Sequence, residues 1–336
     1  MTRLLSALLI PLCAVTLAAC GEKHDPTGTP GDSKLSLMLD FFPNADHAGI
    51  YEAIGDGEFE KAGLNVKVQV PGDPASPLKL LATGKVDLAI SYEPEVLLAR
   101  DKGVKVVSIG ALVQKPLTSI IAIAPNKLDS PADLAKHTVG TAGIPYQSAY
   151  LKTILKKQGV DPGTVKEINV GFNLVPAMLS KKVYATLGGF WNYEGIQLEQ
   201  KKRHPRVIPV DQAGVPTYNE LVIVAREDEI GPKAALLRRF LQALARAHMS
   251  LKANPSAGVA ALLKANPDLD PALQRASVEK TLPAFFPADA SKPWGWQDPD
   301  AWRAYAKWMY ENGLVKRQPT RQALNNDLLP GEGFAK

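Results

Sequence analysis

Aromatic rings and carboxylates occur side by side at four places along the 336 residues of the chain. Rings can stack on a flat ligand, at about 0.5–1.5 kcal/mol each beyond burial. Carboxylates accept hydrogen bonds from N–H donors, at about 1.5–3 kcal/mol each. The combination predicts a pocket for a flat heteroaromatic molecule with exocyclic amines. The candidate binding residues are Asp40, Phe42, Asn44, His47, Tyr92, Trp191, Asn192, Tyr193, Glu194, Tyr218 and Glu220.

Each of the four places also has an ordinary structural interpretation. Asn44 could cap a helix, Tyr92 and Trp191 could be core rings, and a Glu in a first helical turn could simply favour the helix dipole. Recurrence of the pattern at four strand ends favours a site. Glu194 is the main candidate for pairing with the ligand, and Asp40 is the reserve.

Histidine and cysteine offer little for metal chemistry. His47 is open to two roles, ligand contact or a cap on neighbouring backbone, and its position favours the first. The other histidines show no ligand spacing with it, so no metal site is predicted. The two cysteines are Cys13 and Cys20, which excludes a disulfide framework or a cysteine-based metal site in the folded body.

The elements that must position these residues follow an alternating pattern. Strand-like runs alternate with helical ones up to about residue 225, and only helical runs follow residue 231. This order is typical of an α/β protein, and its repeated βαβ units predict parallel sheets. The predicted strands are 34–39, 65–70, 86–91, 104–113, 119–125, 138–143, 165–170, 184–187, 206–210 and 220–225.

The order of elements predicts two sheet-containing lobes. Lobe 1 comprises residues 34–124 and 217–336, and lobe 2 comprises residues 125–216. Strands near Ile121 and Val222 are expected to join the lobes, with the C-terminal helices packed back on lobe 1. In such folds a ligand binds beyond the carboxyl ends of the strands, here in the cleft between the lobes.

The first 33 residues predict a location outside the cytoplasm. Residues 1–19 have the positive start and apolar stretch of a signal peptide, and the small residues before Cys20 predict cleavage there and lipid attachment to its sulfur. A plain signal peptide with an incidental cysteine is the alternative. Residues 20–33 are polar and rich in turn formers, which predicts a flexible tether. The folded body is thus expected in the cell envelope, anchored to a membrane.

The net charge of +5 does not by itself indicate a nucleic-acid partner. The basic residues are scattered along the chain, and a short group such as Lys201, Lys202 and Arg203 is typical of a solvated helix face. No nucleic acid is therefore predicted.

Several short stretches resemble a known family. They are residues 39–44 (LDFFPN) with His47 and 49–51 (GIY), residues 84–87 (GKVD) leading to Tyr92, residues 191–194 (WNYE) and residues 216–220 (PTYNE). From about Lys34 onward the chain resembles substrate-binding lipoproteins of ABC importers in the NMT1/THI5-like family, named after yeast thiamine-pyrimidine synthesis proteins. Within it, the chain is most similar to the proteins that bind formylaminopyrimidine, a thiamine precursor.

The resemblance implies a type II periplasmic-binding-protein fold that closes on its ligand. Aromatic residues would sandwich a pyrimidine while Glu194 and neighbouring polar residues bond its nitrogens. It further implies an importer permease and its ATPase as partners, no cofactor and no enzymatic activity.

Two alternatives stay open at this stage. The same binding role could serve riboflavin, an aliphatic sulfonate or an aromatic acid. Sulfonates and carboxylates favour Arg, Lys or helix N-termini, whereas these loops offer acids. The second alternative is a pyrimidine synthase that uses iron. The yeast enzymes carry a cysteine-rich iron-binding motif, which this folded body lacks.

Overall fold

A computed structural model describes residues 33–317 and 323–331. The predicted signal peptide, the predicted lipid site Cys20 and nearly all of the predicted tether lie outside the described residues. Among the helices described, none combines the length and the apolar character needed to cross a membrane.

The first sheet has five strands in the order β2-β1-β3-β10-β4. Its outermost strands differ in burial: β2 has one buried residue, Leu64, whereas β4 is buried throughout. Four helices connect its first strands. The bounds are β1 Ser33–Met38, β2 Leu64–Gln69, β3 Leu88–Ser91, β4 Val106–Val113 and β10 Leu221–Arg226, with α1 Ala48–Gly55, α2 Glu58–Lys61, α3 Pro77–Ala82 and α4 Glu93–Asp101.

The second sheet also has five strands, in the order β7-β6-β8-β5-β9. Three helices pack on it, and a small core that includes Ile121, Met178 and Leu198 lies beneath two of them, α6 and α7. The bounds are β5 Thr118–Ile123, β6 Thr138–Thr141, β7 Lys166–Asn169, β8 Ala185–Phe190 and β9 Pro205–Pro209, with α5 Pro145–Lys157, α6 Leu174–Leu179 and α7 Glu194–Gln200.

Both sheets are mixed, so the prediction of parallel sheets is wrong for one strand in each. β10 is antiparallel to β3 and β4, and β5 is antiparallel to β8 and β9. Each of these two strands is the first after the chain passes from one sheet to the other. Such a strand begins at the edge of the sheet that faces the cleft and therefore runs away from the cleft. Its neighbours in the sheet run towards the cleft.

The chain crosses between the lobes through irregular segments rather than through strands. β5 belongs wholly to the second sheet, so residues 118–123 lie in lobe 2 and not in lobe 1 as predicted. The two crossings are residues 114–117 and 210–220, and Val222 lies in the first sheet just beyond the second crossing.

The C-terminal helices pack back on lobe 1, which agrees with the sequence prediction. These helices are α8 Ala234–Ala253, α9 Pro255–Ala265, α10 Pro271–Thr281 and α11 Pro299–Glu311. The rings of Phe59 and Phe240 stack at 5.3 Å where α2 meets α8. Asp270 and Asp298 accept backbone hydrogen bonds at the starts of α10 and α11, and each precedes a proline suited to the first helical position. α10 also contacts α7 of lobe 2.

Candidate ligand-binding site

A cavity lies between the two lobes at the cleft ends of the strands. The space between its walls amounts to about 350 Å³ when open solvent is included, and the part in which the centre of a water molecule fits is about 20 Å³. Residues from both lobes line it, which is the arrangement that the strand-end rule predicts. The lining residues are Asp40, Phe41, Asn44, Tyr92, Ala142, Ile144, Gln147, Leu174, Gly188, Phe190, Tyr193 and Glu194.

Four aromatic rings line this cavity, two from each lobe. Phe41 and Tyr92 come from lobe 1, and Phe190 and Tyr193 come from lobe 2. Of the predicted rings, Tyr92 and Tyr193 are therefore in place. A flat ligand between the lobes would contact rings on both sides only when the lobes are close together.

Trp191 does not line the cavity, contrary to the prediction that it forms a stacking wall. Its indole Nε1 donates to the carbonyl of Pro116 at 2.9 Å, and its backbone N–H donates to Leu117. The reason is the length of β8, which continues to Phe190 rather than ending at Leu187. Phe190 is the last residue of the strand and faces the cavity, whereas Trp191 begins the turn that follows and bonds to the first crossing.

Phe42 does not line the cavity but belongs to an aromatic cluster beside it. Its ring lies 6.1 Å from Phe172 and 6.2 Å from Tyr193, both in lobe 2. Phe41 makes an edge contact with Phe172 at 4.7 Å. The cluster links the lobes, and the sequence prediction missed Phe172 because its loop carries no neighbouring carboxylate.

Asp40 lines the cavity but both of its carboxylate oxygens already accept hydrogen bonds. His47 Nε2 lies 2.9 Å from Oδ1, and the Tyr92 hydroxyl donates to Oδ2 at 2.8 Å. The Asn44 backbone N–H donates to His47 Nδ1 at 3.2 Å, which leaves the ring proton on Nε2, facing Asp40. His47 is fully buried, so it positions Asp40 and the following turn instead of contacting the cavity as predicted.

Asn44 combines both interpretations considered for it. Its Oδ1 accepts from the Asp46 backbone at 2.8 Å, so it caps the short 3₁₀ turn Ala45–His47. Its side-chain amide donates to the Phe42 carbonyl, and the residue lines the cavity.

Glu194 stands at the start of α7 and lines the cavity. Its Oε2 accepts the backbone N–H of Phe190 at 2.7 Å. Burial raises the pKa of Glu194 to about 7, against the lowering effect of that hydrogen bond. The group can therefore hold or release a proton near neutral pH.

Asn192 connects the two lobes from a position outside the cavity lining. Its amide donates to Asp46 of lobe 1 at 2.7 Å and lies 2.6 Å from the Thr281 hydroxyl of α10. Burial raises the pKa of Asp46 to about 6. Gln274 of α10 adds a second link through the Tyr193 hydroxyl, at 3.1 Å. The predicted ligand contact at Asn192 is thus replaced by a contact between lobes.

Tyr218 and Glu220 lie at the second crossing and not among the cavity-lining residues. Glu220 Oε2 accepts the backbone N–H groups of Leu117 and Thr118 at 2.6 and 2.8 Å. The Tyr218 hydroxyl donates to the same oxygen at 3.1 Å. A ring beside a carboxylate before β10 therefore marks the junction of the two crossings, because β10 begins at the cleft edge and follows the second crossing directly.

Sequence reasoning missed several lining residues that carry no charge. Gly188 has φ +118°, and a Cβ there would overlap the side-chain amide of Gln147. Gln147 in turn accepts the Ala142 backbone N–H at 2.8 Å. The Gly188-Gly189 pair inside a strand was the available signal, since glycine in a strand often marks close approach of another group.

The electrostatic character of the lining is acidic. Asp40 and Glu194 contribute carboxyl groups, and no Lys or Arg is among the described residues that line the cavity. In the part of the chain that the structure describes, no group of three or more His, Cys, Asp and Glu is arranged to hold a metal ion.

Two five-stranded sheets that flank a cleft and are joined by two crossings define the two-lobed fold of periplasmic binding proteins. The solved periplasmic aliphatic sulphonate binding protein SsuA of Escherichia coli matches it with a TM-score of 0.67 at 17% identity, over 89% of this chain and 99% of that one.

Sequence comparison identifies the family. A family model described as NMT1/THI5 like matches residues 44–258. The formylaminopyrimidine-binding protein of Halalkalibacterium halodurans is 33% identical over 305 residues, which cover 89% of this chain and 91% of that protein. The 4-amino-5-hydroxymethyl-2-methylpyrimidine phosphate synthase of Legionella pneumophila is 25% identical, over 75% of this chain and 80% of that enzyme. The chain belongs to the NMT1/THI5-like family.

Proposed function

We propose that this protein is the extracytoplasmic substrate-binding component of an ABC importer and captures a thiamine pyrimidine precursor of the formylaminopyrimidine or hydroxymethylpyrimidine type. The observation that carries the proposal is the cavity between the lobes, where Glu194 stands among four aromatic rings. The formylaminopyrimidine-binding relative supports the same ligand class.

Glu194 suits an aminopyrimidine because of its protonation state. Such a ring presents a nitrogen acceptor beside an exocyclic N–H donor. A protonated carboxyl group pairs with both, since its O–H donates to the ring nitrogen and its carbonyl oxygen accepts from the amine. A pKa of about 7 makes this form available at neutral pH. Asp40 is less suited, because His47 and Tyr92 already occupy both of its oxygens.

A binding role without catalysis agrees with the state of His47. A histidine that takes part in chemistry must reach the reacting atoms, but both nitrogens of His47 are hydrogen-bonded and the ring is fully buried. The synthase relative is also less similar than the binding protein, at 25% against 33% identity. We therefore assign no catalytic residue.

Attachment and partners complete the proposal. Cleavage before Cys20 would leave a lipid-bearing cysteine and a polar tether of 12 residues, 21–32, before β1. The tether would hold the folded body near the permease and ATPase that accept the ligand. Replacing Cys20 with Ser should release the protein from the membrane fraction of cells, and unchanged membrane association would refute the lipid assignment.

Calorimetry against a panel of ligands tests the ligand class. Formylaminopyrimidine should bind tightly with one molecule per chain, and taurine, riboflavin and benzoate should bind clearly more weakly. Mass spectrometry of what the denatured protein releases identifies any ligand that co-purifies. A stronger response to taurine would overturn the aminopyrimidine assignment while leaving the binding-protein role intact. Chemical conversion of a bound ligand by the purified protein alone would overturn the non-enzymatic role.

A further inference from the structure

Lobe 2 carries a basic surface at the end opposite the cleft. Every strand of the second sheet contributes to it at its far end, and the set is called the basic pole here. It comprises residues 124–137, 158–166, 180–184 and 201–206. The basic residues of the pole are Lys127, Lys136, Lys166, Lys181, Lys182, Lys201, Lys202, Arg203 and Arg206, and all of them are exposed.

Hydrogen bonds tie these separate segments into one surface. The Lys166 backbone N–H donates to the His137 carbonyl at 3.0 Å, and the Tyr184 hydroxyl donates to the Lys127 carbonyl at 2.7 Å. The rings of His137 and Tyr184 stack at 3.7 Å. On the other side, Pro205 pairs with the last residue of β5. Five adjacent strands at about 4.8 Å spacing give the pole a width of roughly 19 Å.

The pole carries all of the net positive charge of the molecule. Its nine basic residues against Asp129, Asp133 and Asp161 give 9 − 3 = +6, whereas the whole chain has 39 − 34 = +5. The remainder of the chain is therefore at −1. Lys127 is paired with Asp129 and Asp133. Within the described residues, the other eight basic side chains of the pole form no ion pair. Residues that are scattered in the sequence thus converge through the fold.

The backbone of the pole gives a second, independent observation. Four non-glycine residues of the described chain have positive φ, and all four lie on the pole: Lys136 (65°), Lys181 (59°), Lys202 (55°) and His204 (47°). Glycine or asparagine fits this left-handed conformation better than lysine. Lysine at three of these turns is therefore unfavourable for the backbone. Residues held in such unfavourable conformations cluster at functional sites.

We propose that the basic pole binds the anionic headgroups of a lipid bilayer. A broad basic surface fits a charged plane, and each Lys or Arg near an anionic bilayer strengthens attachment by about fivefold. Single-stranded nucleic acid is less suited, because its binding sites offer free rings for stacking, whereas His137 and Tyr184 are stacked on each other.

The position of the pole fits simultaneous attachment at both ends of the molecule. β1 begins at the far end of lobe 1, since its last residue Met38 leads to Asp40 in the cavity. The predicted tether from Cys20 to Ser33 can span about 45 Å when fully extended. A lipid at the lobe 1 end and headgroups at the lobe 2 end would lay the molecule along the membrane. The cavity lies between these two ends, and none of its lining residues belongs to the pole.

Vesicle sedimentation tests the proposal with a chain that begins at Gly21, which keeps every described element and lacks the lipid. The vesicles are phosphatidylglycerol and phosphatidylcholine at 1:3, or phosphatidylcholine alone. The parent should sediment with the anionic vesicles at low salt, stay soluble with the neutral ones, and be released by about 0.5 M NaCl through screening. Failure to bind anionic vesicles at low salt would overturn the proposal.

A triple variant, Lys136→Asn with Lys181→Asn and Lys202→Asn, separates charge from folding. Asparagine tolerates the left-handed backbone, so the melting temperature should be unchanged or higher while vesicle affinity falls about tenfold or more. A matched variant, Lys67→Gln with Lys264→Gln and Lys280→Gln, removes three exposed charges from lobe 1 and should bind like the parent. Equal loss in both variants, or tighter binding of the parent to single-stranded RNA than to vesicles, would overturn the assignment to lipid.

Discussion

The side-chain amide of Asn192 in lobe 2 donates to the carboxylate of Asp46 in lobe 1 across 2.7 Å, and both residues are fully buried. Opening of the cleft must break this bond. The contact therefore stabilises the closed form, independently of any contact with the ligand.

Asn192→Ala should weaken ligand binding although the residue does not line the cavity. The change leaves the Asp46 carboxylate buried without its amide donor, and truncation of one partner of such a bond costs roughly 2–5 kcal/mol. Calorimetry gives the affinity, and small-angle scattering gives the open fraction with ligand present. Asn65→Ala on β2, an exposed position, is the control. Unchanged affinity in Asn192→Ala would show that the contact contributes nothing to closure.

Glu194 variants should separate charge from hydrogen bonding. Glu194→Ala should weaken binding of formylaminopyrimidine by roughly 2–5 kcal/mol. Glu194→Gln should keep part of the affinity, because an amide still donates to the ring nitrogen and accepts from the amine.

The pH profile of binding gives the sharper test of Glu194. Burial raises the pKa of Glu194 to about 7, so the proton shared with the ligand is lost from the free site as the pH rises above that value. Affinity of the parent should then fall towards pH 9, and that of Glu194→Gln should stay level over the same range. Identical pH profiles for the parent and Glu194→Gln would show that Glu194 does not share a proton with the ligand. Asp40 would then be the candidate for pairing with the ligand.

Phe190 and Trp191 should differ in what their replacement does. Phe190→Ala removes a ring from the cavity and should weaken binding by about 2–4 kcal/mol through lost burial and stacking. Trp191→Phe keeps a ring but removes the donor to Pro116, and should change affinity less than tenfold. Calorimetry on both, with circular dichroism to verify folding, decides between them. A larger loss of affinity in Trp191→Phe than in Phe190→Ala would show that Trp191 contacts the ligand.

Glu220 should govern the stability of the molecule more than its affinity. Glu220→Ala leaves the N–H groups of Leu117 and Thr118 buried without an acceptor, and should lower the free energy of unfolding by roughly 3–5 kcal/mol. Glu220→Gln retains an acceptor for both and should be tolerated better. Urea denaturation measures the difference, and equal loss in the two variants would contradict this role.

Stability should fall as the pH rises through the weakly acidic range. Burial raises the pKa of Glu220 and Glu194 to about 7 and of Asp46 to about 6. Folded-state values above the unfolded ones mean that the folded protein holds these protons more tightly, so their contribution is complete below about pH 4 and is lost by about pH 7. Urea denaturation at pH 5, 6, 7 and 8 measures it, and Glu220→Gln should show a shallower decline than the parent. Rising stability over this range would contradict the shifts.

Local sequence patterns predict the positions of most strands but not the direction of every strand. Alternation predicts β1 and β8 within three residues of their observed bounds. The reversal of β5 and β10 depends on where the chain changes lobe, which no local pattern records. The lobe boundary was misplaced for the same reason, since β5 is as apolar as a strand of either sheet.

The site was predicted better at its charges than at its rings. Glu194 and Tyr92 line the cavity because strand ends converge there, which the sequence order implies. Phe190 lines the cavity in place of Trp191, because β8 extends three residues further than predicted and Trp191 falls in the turn after it. The sequence predicts a ligand contact at Glu220, but its carboxylate accepts five hydrogen bonds from four residues, and three of these, Leu117, Thr118 and Tyr146, lie more than 70 positions away in the chain.

The carboxylate of Glu220 fastens one crossing to the other, since it belongs to residues 210–220 and accepts the backbone N–H of Leu117 at the end of residues 114–117. Because this bond joins the two crossings, they cannot move independently of each other. We therefore expect the lobes to rotate about one axis close to Glu220, and the contacts across the cleft to form or break together as the angle about that axis changes. The contacts of the aromatic rings, of Glu194 and of Asn192 would then all depend on the angle between the lobes. One pair of distance labels, with one label on each lobe, would measure that angle.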